Sequence, residues 1–549
     1  MSAPILEIHN LTVDLPEGAD RQHAVSDVSV ELHHNEILCL VGESGSGKSI
    51  TSRAIMGLLA RGVRASAGRI LFRGEDLLRA TPRRLRELRG SHISMIFQEP
   101  MTALNPVKRV GDQVDEVIAV HTATPKAKRL ARIIELFDAV QLPEPLRLLR
   151  SYPHQLSGGQ RQRAMIAMAL ALEPAILIAD EPTTALDVTT QAQILALIKG
   201  IQAQRHMGVL FITHDFGVVS EIADRVAVMQ SGSVVEFGGA RQVLGEPRHP
   251  YTRSLIASIP SLVPPQRKPR DDPRCILSTV ALRKSYRSGA ALLGGKGRIA
   301  HAAKDVNLTI HRGETLGLVG ESGSGKSTVA RCIARLVDAD DGRILLGDID
   351  LVPLSRRQLR PYRRRIQMVF QDPYGSLNPR RTVGKLIAEG PMVHGMSEAK
   401  AMAKASELLE LVGLDHRALG RYPHEFSGGQ RQRIGIARAL ALEPEVLVAD
   451  EPVSALDVSI QAQVLKLLAD IRDRLDLTML FITHDLRVAA QVCDSIAVMR
   501  FGEIVEYGRT REVYSNPRHA YTRELLAAVP GKGMGLIAQD DRDGMEGFA

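Results

Sequence analysis

At 549 residues the chain is longer than a single hydrophobic core usually supports, and its 44% apolar content can fill two ordinary cores. No run approaches the roughly 18 to 20 apolar residues needed to cross a bilayer, and residues 1–8 lack the features of a secretory signal, so we expect a soluble chain that is not exported. The formal net charge of +8 permits nucleic-acid binding, but the basic residues occur in short runs such as 83–89, which favours solvated helix faces near phosphate or anionic lipid.

One module occurs twice in the sequence. The string LVGESGSGKS at 40–49 returns letter for letter at 318–327, and later motifs of the first half recur in the same order in the second. Self-similarity of this kind indicates an internal duplication. Because strand patterns alternate with helix patterns in each half, we predict an α/β structure with a mostly parallel core sheet.

A glycine-rich loop follows the apolar strand predicted at 36–41, and its copy follows the strand predicted at 314–319. Both loops fit G-x-x-x-x-G-K-[ST], in which glycines let backbone N–H groups close around phosphate oxygens. The lysine neutralises phosphate charge and the serine hydroxyl binds Mg²⁺. The predicted ATP-binding residues of the two loops are Gly42, Ser44, Gly45, Gly47, Lys48, Ser49, Gly320, Ser322, Gly323, Gly325, Lys326 and Ser327.

A helix-patterned insert comes next, at 98–157 and again at 371–427. It is rich in Leu, Ala, Glu and Arg, which predicts a separate helical lobe. Each insert ends in a short glycine motif, LSGGQ at 156–160 and FSGGQ at 426–430.

Two adjacent carboxylates, Asp180 and Glu181, end the next buried-strand pattern, and Asp450 and Glu451 repeat them. Ligands collect at the carboxyl edge of a parallel sheet, where an aspartate can hold Mg²⁺ and a glutamate can polarise the attacking water. An acidic helix N-cap is the alternative interpretation of these pairs.

His214 and His484 each follow another apolar strand, in the string ITHD. This position allows both histidines to reach the γ-phosphate, although a lone histidine is more often structural. Together with the two glutamates they form the predicted catalytic set, Glu181, Glu451, His214 and His484.

The domain limits follow from composition. A proline-rich, charged string at 261–274 predicts an extended linker, and the polar, glycine-rich end of the chain predicts fraying. We therefore predict a first domain at 1–260, a linker at 261–276, a second domain at 277–531 and a disordered tail at 532–549.

The LSGGQ and FSGGQ motifs resemble the signature of ABC ATPases, which other P-loop enzymes lack. The resemblance covers both halves and implies two tandem ABC-type P-loop nucleotide-binding domains. Each would have a core parallel sheet, an antiparallel β portion and a helical lobe. The signature residues implied to bind ATP are Ser157, Gly158, Gly159, Gln160, Ser427, Gly428, Gly429 and Gln430.

The same resemblance implies roles for residues between the motifs. Gln98 and Gln371 resemble the Q-loop glutamines, which link the γ-phosphate to the helical lobe, and Asp187 and Asp457 resemble the D-loop aspartates. The expected cofactor is Mg²⁺. Its predicted ligands are Ser49, Gln98, Asp180, Ser327, Gln371 and Asp450.

Two further features resemble the oligopeptide/dipeptide/nickel/glutathione importer ATPases. They are FQEPMTALNP and FQDPYGSLNP after the Q-loop glutamines, and HPYTRSL at 249–255 with HAYTREL at 519–525. Some family members carry a cysteine-rich iron–sulfur segment after this motif. Only Cys275 lies nearby here, so no iron–sulfur cluster is expected. The four cysteines are far apart in the sequence, which predicts reduced thiols.

The resemblance implies an ATP-hydrolysing motor that lies peripherally on the cytoplasmic face of a bacterial inner membrane. Its implied partners are ATP, two integral-membrane permease subunits and an extracytoplasmic substrate-binding protein, with no nucleic acid and no additional ATPase chain. The cargo class is peptides or related small solutes, with di-, tri- and oligopeptides, glutathione and nickel chelates left open. A soluble ABC switch acting on ribosomes is the alternative, disfavoured by the short linker and the HPYT-like segments.

One asymmetry between the halves concerns the residue expected near the adenine base. Tyr286 falls where family members stack an aromatic ring on adenine, and so joins the predicted ATP-binding residues, whereas the matching first-half residue is Leu15. This asymmetry predicts tighter ATP binding in the second half, with a surface tyrosine as the alternative. The resemblance also implies that each ATP lies between Lys48 or Lys326 and the signature of the other half.

Overall fold

The structure is a computed structural model that describes residues 3–184, 186–267, 274–288, 298–454 and 456–532. These residues form two compact units. One unit contains the described residues up to Ser258 together with those from Val529 onward, and the other runs from Ile259 to Ala528. Residues 268–273 of the predicted linker (261–276) and residues 533–549 of the predicted tail (532–549) lie outside the described residues, and the domain limits stay predictions.

The first unit contains an antiparallel sheet of order β2-β1-β4-β5 and a second sheet of order β10-β9-β3-β8-β7-β6, with strand limits given below. In the second sheet β3 and β6 to β9 are parallel, and β10 is antiparallel to β9. The strands are β1 (Pro4–Asp14), β2 (His23–His33), β3 (Ile37–Val41), β4 (Arg64–Phe72), β5 (Glu75–Asp76), β6 (Ile93–Ile96), β7 (Ile176–Asp180), β8 (Gly208–Thr213), β9 (Arg225–Gln230) and β10 (Ser233–Gly239).

The helices of the first unit include a lobe between β6 and β7, as the helix-patterned insert predicts. The helices are α1 (Lys48–Ile55), α2 (Pro82–Leu88), α3 (Pro100–Ala103), α4 (Val110–His121), α5 (Lys126–Ala139), α6 (Pro145–Leu148), α7 (Gly158–Ala169), α8 (Val188–Arg205), α9 (Phe216–Ile222), α10 (Ala240–Gly245) and α11 (Pro250–Ala257).

The second unit repeats both sheets, with the orders β12-β11-β14-β15 and β16-β17-β18-β13-β19-β20. Its strands are β11 (Cys275–Ser288), β12 (Arg298–His311), β13 (Thr315–Val319), β14 (Asp341–Leu346), β15 (Ile349–Asp350), β16 (Ile366–Val369), β17 (Val446–Asp450), β18 (Thr478–Thr483), β19 (Ser495–Arg500) and β20 (Glu503–Arg509). Its helices are α12 (Lys326–Ile333), α13 (Arg356–Arg363), α14 (Pro373–Ser376), α15 (Val383–Val393), α16 (Glu398–Leu411), α17 (Gly428–Leu440), α18 (Val458–Leu475), α19 (Leu486–Val492), α20 (Thr510–Ser515) and α21 (Ala520–Ala527).

The position of the candidate site is determined by the ends of the central strands. The sequences of β3, β7 and β8 are almost continuously apolar, and every residue in them is buried, as expected for parallel strands covered on both faces. Val41 pairs with Thr213, and Asp180 pairs with Ile212, so the three strands end at one edge of the sheet. The glycine-rich loop, Glu181 and His214 follow these ends, and Asp180 is the last residue of β7.

Two properties of the described residues bear on the sequence predictions. No helix among them is both long enough and apolar enough to span a membrane. The four cysteines are free thiols, three of them buried and Cys275 exposed.

Candidate nucleotide-binding sites

The glycine-rich loop at 42–47 packs against its neighbours so closely that two positions admit only glycine. Gly42 has φ +148° and Gly47 has φ +106°. A Cβ at Gly42 would overlap the carbonyl oxygen of Met229, and a Cβ at Gly47 would lie 2.7 Å from the carbonyl oxygen of Ala24. The middle of the loop, Ser44 and Gly45, is exposed. The loop is thus fixed at both ends and open in the middle, where an anion can approach its N–H groups.

The Lys48 side chain lies under this loop and is only 5% exposed. Its ammonium donates to the carbonyl oxygens of Gly42 and Glu43 at 2.7 and 2.8 Å. The Ser46 carbonyl accepts from the N–H of Gly232, in the turn between β9 and β10, at 3.0 Å. A positive charge is therefore placed within the loop.

The second unit repeats this geometry. Gly320 and Gly325 have φ +151° and +110°, and a Cβ at either position would overlap a backbone carbonyl. Lys326 donates to the carbonyl oxygens of Gly320 and Glu321, both at 2.7 Å. Ser322 and Gly323 are exposed.

The predicted metal ligands meet in pairs. Ser49 donates to the buried carboxylate of Asp180 at 2.9 Å, and Ser327 donates to Asp450 at the same distance. Burial raises the pKa of Asp180 and the neighbouring Glu181 charge adds to the rise, whereas the serine hydrogen bond opposes it. A hydroxyl next to a carboxylate is a hard oxygen donor set that fits Mg²⁺. Among the described residues no group of three or more His, Cys, Asp and Glu forms a separate metal site.

Glu181 is the centre of a hydrogen-bond network at the end of β7. Its carboxylate accepts from the Gln98 amide at 2.7 Å and from the Thr184 hydroxyl at 3.1 Å, and His214 Nδ1 lies 3.2 Å away. Burial alone would raise the pKa of Glu181, but His214, Lys48 and Thr184 together lower it to about 2. Glu181 also has φ +48°, an uncommon conformation for a residue other than glycine that is often found at functional sites.

Glu451 forms the matching network in the second unit. It accepts from the Gln371 amide at 2.8 Å, His484 Nδ1 lies 3.2 Å from its carboxylate, and its φ is +46°. Burial alone would raise the pKa of Glu451, but His484 and Lys326 outweigh burial and lower it. Conversely, burial alone would lower the pKa of His484, but its hydrogen bond to Glu451 raises it. Each glutamate therefore stays ionised beside its histidine.

The signature motifs begin α7 and α17. The Ser157 hydroxyl accepts from the Gln160 N–H and the Gln160 side chain accepts from the Ser157 N–H, an arrangement that Ser427 and Gln430 repeat. A Cβ on Gly158 would contact nothing within 4 Å, and one on Gly428 would make an ordinary contact, so both positions are open. A Cβ on Gly159 or Gly429 would press on α8 or α18.

The two predicted D-loop aspartates lie at the starts of long helices. Asp187 caps α8 by accepting from the Thr190 N–H at 2.9 Å, and Asp457 immediately precedes α18.

Within each unit the structure brings together the loop lysine, the acidic pair, the glutamine and the histidine. The described side-chain hydrogen bonds of the signature residues Ser157, Gln160, Ser427 and Gln430 are instead made within the motif itself.

A family model described as ABC transporter matches residues 25–184 and 303–454, more than half of the chain. The chain belongs to the ABC transporter family. A second model, described as the C-terminal region of oligopeptide/dipeptide transporters, matches residues 235–279 and 505–539 of this ABC ATPase. Each half therefore carries a cassette and that C-terminal region.

Relatives of the ABC ATPase are similar over nearly its whole length. The glutathione import ATP-binding protein GsiA of Salmonella typhimurium is 46% identical, over 96% of this chain and 90% of that protein. Proteins of the same name from Shigella dysenteriae serotype 1 and Escherichia coli O157:H7 are also 46% identical, over 96% of this chain and 89% of theirs. The predicted family, α/β fold and ATPase activity are confirmed.

The two sites of the ABC ATPase differ at the position predicted to meet adenine. Asp14 and Ser285 each pair with a histidine of the neighbouring strand, so the residues that follow them, Leu15 and Tyr286, are equivalent. The Tyr286 side chain is 43% exposed, whereas Leu15 packs against the core. At this position the second unit has an aromatic ring, with the Lys284 ammonium 5.7 Å from its centre, and the first unit has a leucine.

Two contacts to the first loop were not predicted from the sequence. Arg21, from the β1–β2 connection, donates to the Gly45 carbonyl oxygen, and no motif marks this arginine. The Tyr251 hydroxyl contacts Glu43 of the loop. Tyr251 was recognisable only as part of the HPYT string, which indicated the family but not this contact.

Proposed function

We propose that this ABC ATPase is the ATP-hydrolysing motor of a bacterial importer for peptides or related small solutes. The observation that carries the proposal is that both halves combine a complete set of loop, acidic-pair and histidine residues with the oligopeptide/dipeptide transporter C-terminal region. The relatives named for glutathione import make glutathione one candidate within this solute class.

Hydrolysis uses residues that already contact one another in each unit. Glu181, ionised and held by Gln98 and His214, accepts a hydrogen bond from the attacking water and orients it. Lys48 exchanges its loop carbonyls for phosphate oxygens when ATP binds, and the freed loop N–H groups surround the β-phosphate. Glu451, Gln371, His484 and Lys326 act in the same way in the second unit.

Mg²⁺ fits the oxygen donors at the start of each α-helix after the loop. Ser49 with Asp180, and Ser327 with Asp450, would hold it, with Gln98 and Gln371 as further ligands. Once bound, the ion would neutralise charge on the β- and γ-phosphates.

Each ATP is completed by a signature from the other half. A helix N-terminus with exposed N–H groups favours an anion, and Gly158 and Gly428 leave the first turns of α7 and α17 open to one. Lys48 accordingly works with 427–430, and Lys326 works with 157–160. Because both halves are present in one chain, no additional ATPase chain is required.

The motor acts on two integral-membrane permease subunits, and an extracytoplasmic binding protein delivers solute to them. The ATPase itself lies at the cytoplasmic face of the inner membrane. Its helical lobes carry the cycle of ATP-driven closure to the permeases, because each lobe starts directly after the glutamine that contacts the catalytic acid.

The proposal is tested by reconstitution in proteoliposomes with the permease subunits encoded by the neighbouring open reading frames. ATPase rates would be measured with a binding protein loaded in turn with dipeptide, oligopeptide or glutathione, and uptake of the same labelled solute would be followed. We expect one solute class to stimulate hydrolysis and accumulate. Stimulation by ribosomes or nucleic acid instead, without permease binding, would contradict an importer and favour a soluble ABC switch.

A further inference from the structure

The Tyr251 hydroxyl anchors the glycine-rich loop of the first unit. The Glu43 N–H donates to this hydroxyl at 3.3 Å, and the hydroxyl donates to the Glu43 carboxylate at 3.1 Å. The carbonyl oxygen of Glu43 accepts from Lys48 at 2.8 Å. The loop is thus held on one side by the tyrosine and on the other by the lysine.

The same arrangement occurs in the second unit. The Glu321 N–H donates to the Tyr521 hydroxyl at 3.1 Å, while Lys326 donates to the Glu321 carbonyl oxygen at 2.7 Å. Tyr521 is 1% exposed, and the Arg500 guanidinium lies 4.5 Å from the centre of its ring. Burial raises the pKa of Tyr521, so its hydroxyl stays protonated and able to donate and accept.

The backbone that carries Tyr251 is itself fixed to the central sheet. Glu236 of β10 accepts from the N–H groups of Arg248 and His249 at 2.8 and 3.1 Å, and His249 Nδ1 accepts from the Tyr251 N–H at 3.2 Å. Glu506 makes the same pair of bonds in the second unit. The HPYT-like segment therefore connects the rigid sheet to the loop.

We propose that Tyr251 and Tyr521 are positioning residues that keep the phosphate-binding loops in the shape that accepts ATP. This inference rests on the proposed function, in which these loops bind the nucleotide phosphates. Glycine-rich segments lose much conformational freedom on ordering, so a peptide group fixed beforehand reduces the cost of binding. When the lysine leaves the loop carbonyls for the phosphates, the tyrosine contact remains as the anchor.

The two tyrosines differ in whether water can take the place of the hydroxyl group when it is removed. A cavity of about 270 Å³ adjoins Tyr251 and is lined by Arg21, Gln230 and the loop. Water in such a polar cavity can bind the Glu43 N–H if the hydroxyl is removed. The buried surroundings of Tyr521 offer less access to water, so the Glu321 N–H would lose its partner. Removal of the second hydroxyl should therefore have the larger effect.

The test removes each hydroxyl and keeps the ring, in the full chain. Tyr251→Phe, Tyr521→Phe and the double variant would be compared by steady-state ATPase kinetics and by binding of a fluorescent ATP analogue. We expect the KM for ATP to rise about two- to tenfold, the range that one lost hydrogen bond produces, with kcat changed less than about twofold. The double variant should show the largest rise.

A matched control is Tyr507→Phe, which removes a hydroxyl that donates to the Thr309 carbonyl oxygen at 2.9 Å rather than to the loop. This variant should keep the wild-type KM. An unchanged KM in both loop variants overturns the inference even if the melting temperature falls, because the hydroxyls would then only stabilise the fold. A rise of equal size in Tyr507→Phe overturns it as well.

The test remains informative if one variant fails to fold, and it separates the positioning role from the proposed function. If Tyr521→Phe does not fold, Tyr251→Phe decides the outcome alone, with a rise in KM expected at the lower end of the two- to tenfold range and an unchanged KM overturning the inference. Failure of the unmodified chain to hydrolyse ATP would contradict the proposed function. Normal hydrolysis by the unmodified chain with unaltered KM in the variants would contradict only the positioning role.

Discussion

Gln98 donates a 2.7 Å hydrogen bond from its amide to the carboxylate of Glu181. The glutamine lies two residues after β6 and two before the first helix of the lobe, and the glutamate directly follows β7. Gln371 and Glu451 make the same bond at 2.8 Å in the second unit. Gln98 therefore connects Glu181 directly to the start of the helical lobe, and a change in the hydrogen bonds of Glu181 alters the contacts of that glutamine.

Replacing both glutamates, Glu181→Gln with Glu451→Gln, should lower kcat about 10²- to 10⁴-fold, the usual contribution of a positioned acid or base. ATP affinity should stay within about threefold of the wild type, because the loops are untouched. Steady-state phosphate release and equilibrium nucleotide binding check both points. The exposed pair Glu246→Gln with Glu524→Gln is the control and should hydrolyse ATP normally. Near-normal turnover by the first pair would remove the glutamates from the mechanism.

Replacing Gln98 and Gln371 by alanine removes the amide contact to each acid but leaves the acid, the lysine and the serine in place. We expect basal ATPase activity to fall by about tenfold or less, the range of a lost hydrogen bond, because Ser49 with Asp180 and Ser327 with Asp450 remain to hold Mg²⁺. Stimulation by loaded binding protein should fall more, because the link to the lobe is broken. The exposed Gln204→Ala, on α8, is the comparison. Equal loss of basal and stimulated rates would argue against a role in coupling.

The parallel core and the loops could be predicted from sequence because their causes are local. The strings ILCLV, ILIAD and GVLFIT are apolar throughout, which is typical of buried parallel strands, and the glycine spacing specifies the phosphate-binding loop. The duplication then extended each conclusion to the other half.

The contacts within the site could not be predicted in the same way, because they depend on tertiary packing. Gln98 and Glu181 are 83 positions apart, and Glu43 and Tyr251 are 208 apart. The positive φ of Glu181 also has no sequence signal, since the residue type gives no reason to expect a left-handed conformation. Motif spacing therefore gave candidate site residues but did not predict which of them are in contact.

Tyr286 should make the second site the tighter one. Stacking of a base on an aromatic ring is worth roughly 1 to 3 kcal/mol in nucleic-acid sites, about five- to 150-fold in affinity. We expect Tyr286→Ala to weaken ATP binding at one of the two sites by an amount within this range, and Tyr286→Phe to preserve it. Titration of the full chain with a fluorescent ATP analogue resolves the two sites. Leu15→Ala is the matched change in the first half, and an equal effect of both alanine variants would refute the asymmetry.

The pairing of each loop with the signature of the other half is tested by combining two kinds of variant. Lys48→Ala disables one loop, and arginine at Gly158 or Gly428 blocks one signature from a position where a larger side chain has little to collide with in its own unit. Two changes in one composite site should be strongly non-additive, whereas changes in different sites should combine.

We therefore expect Lys48→Ala with Gly428→Arg to lose little more ATPase activity than either change alone, because both act on one site. Lys48→Ala with Gly158→Arg should abolish hydrolysis, because the lysine change disables one site and the arginine blocks the other. ATPase rates and nucleotides bound per chain would be measured for all single and paired variants. If Lys48→Ala is instead non-additive with Gly158→Arg, each half completes its own site, and the exchange of signatures between the halves is wrong.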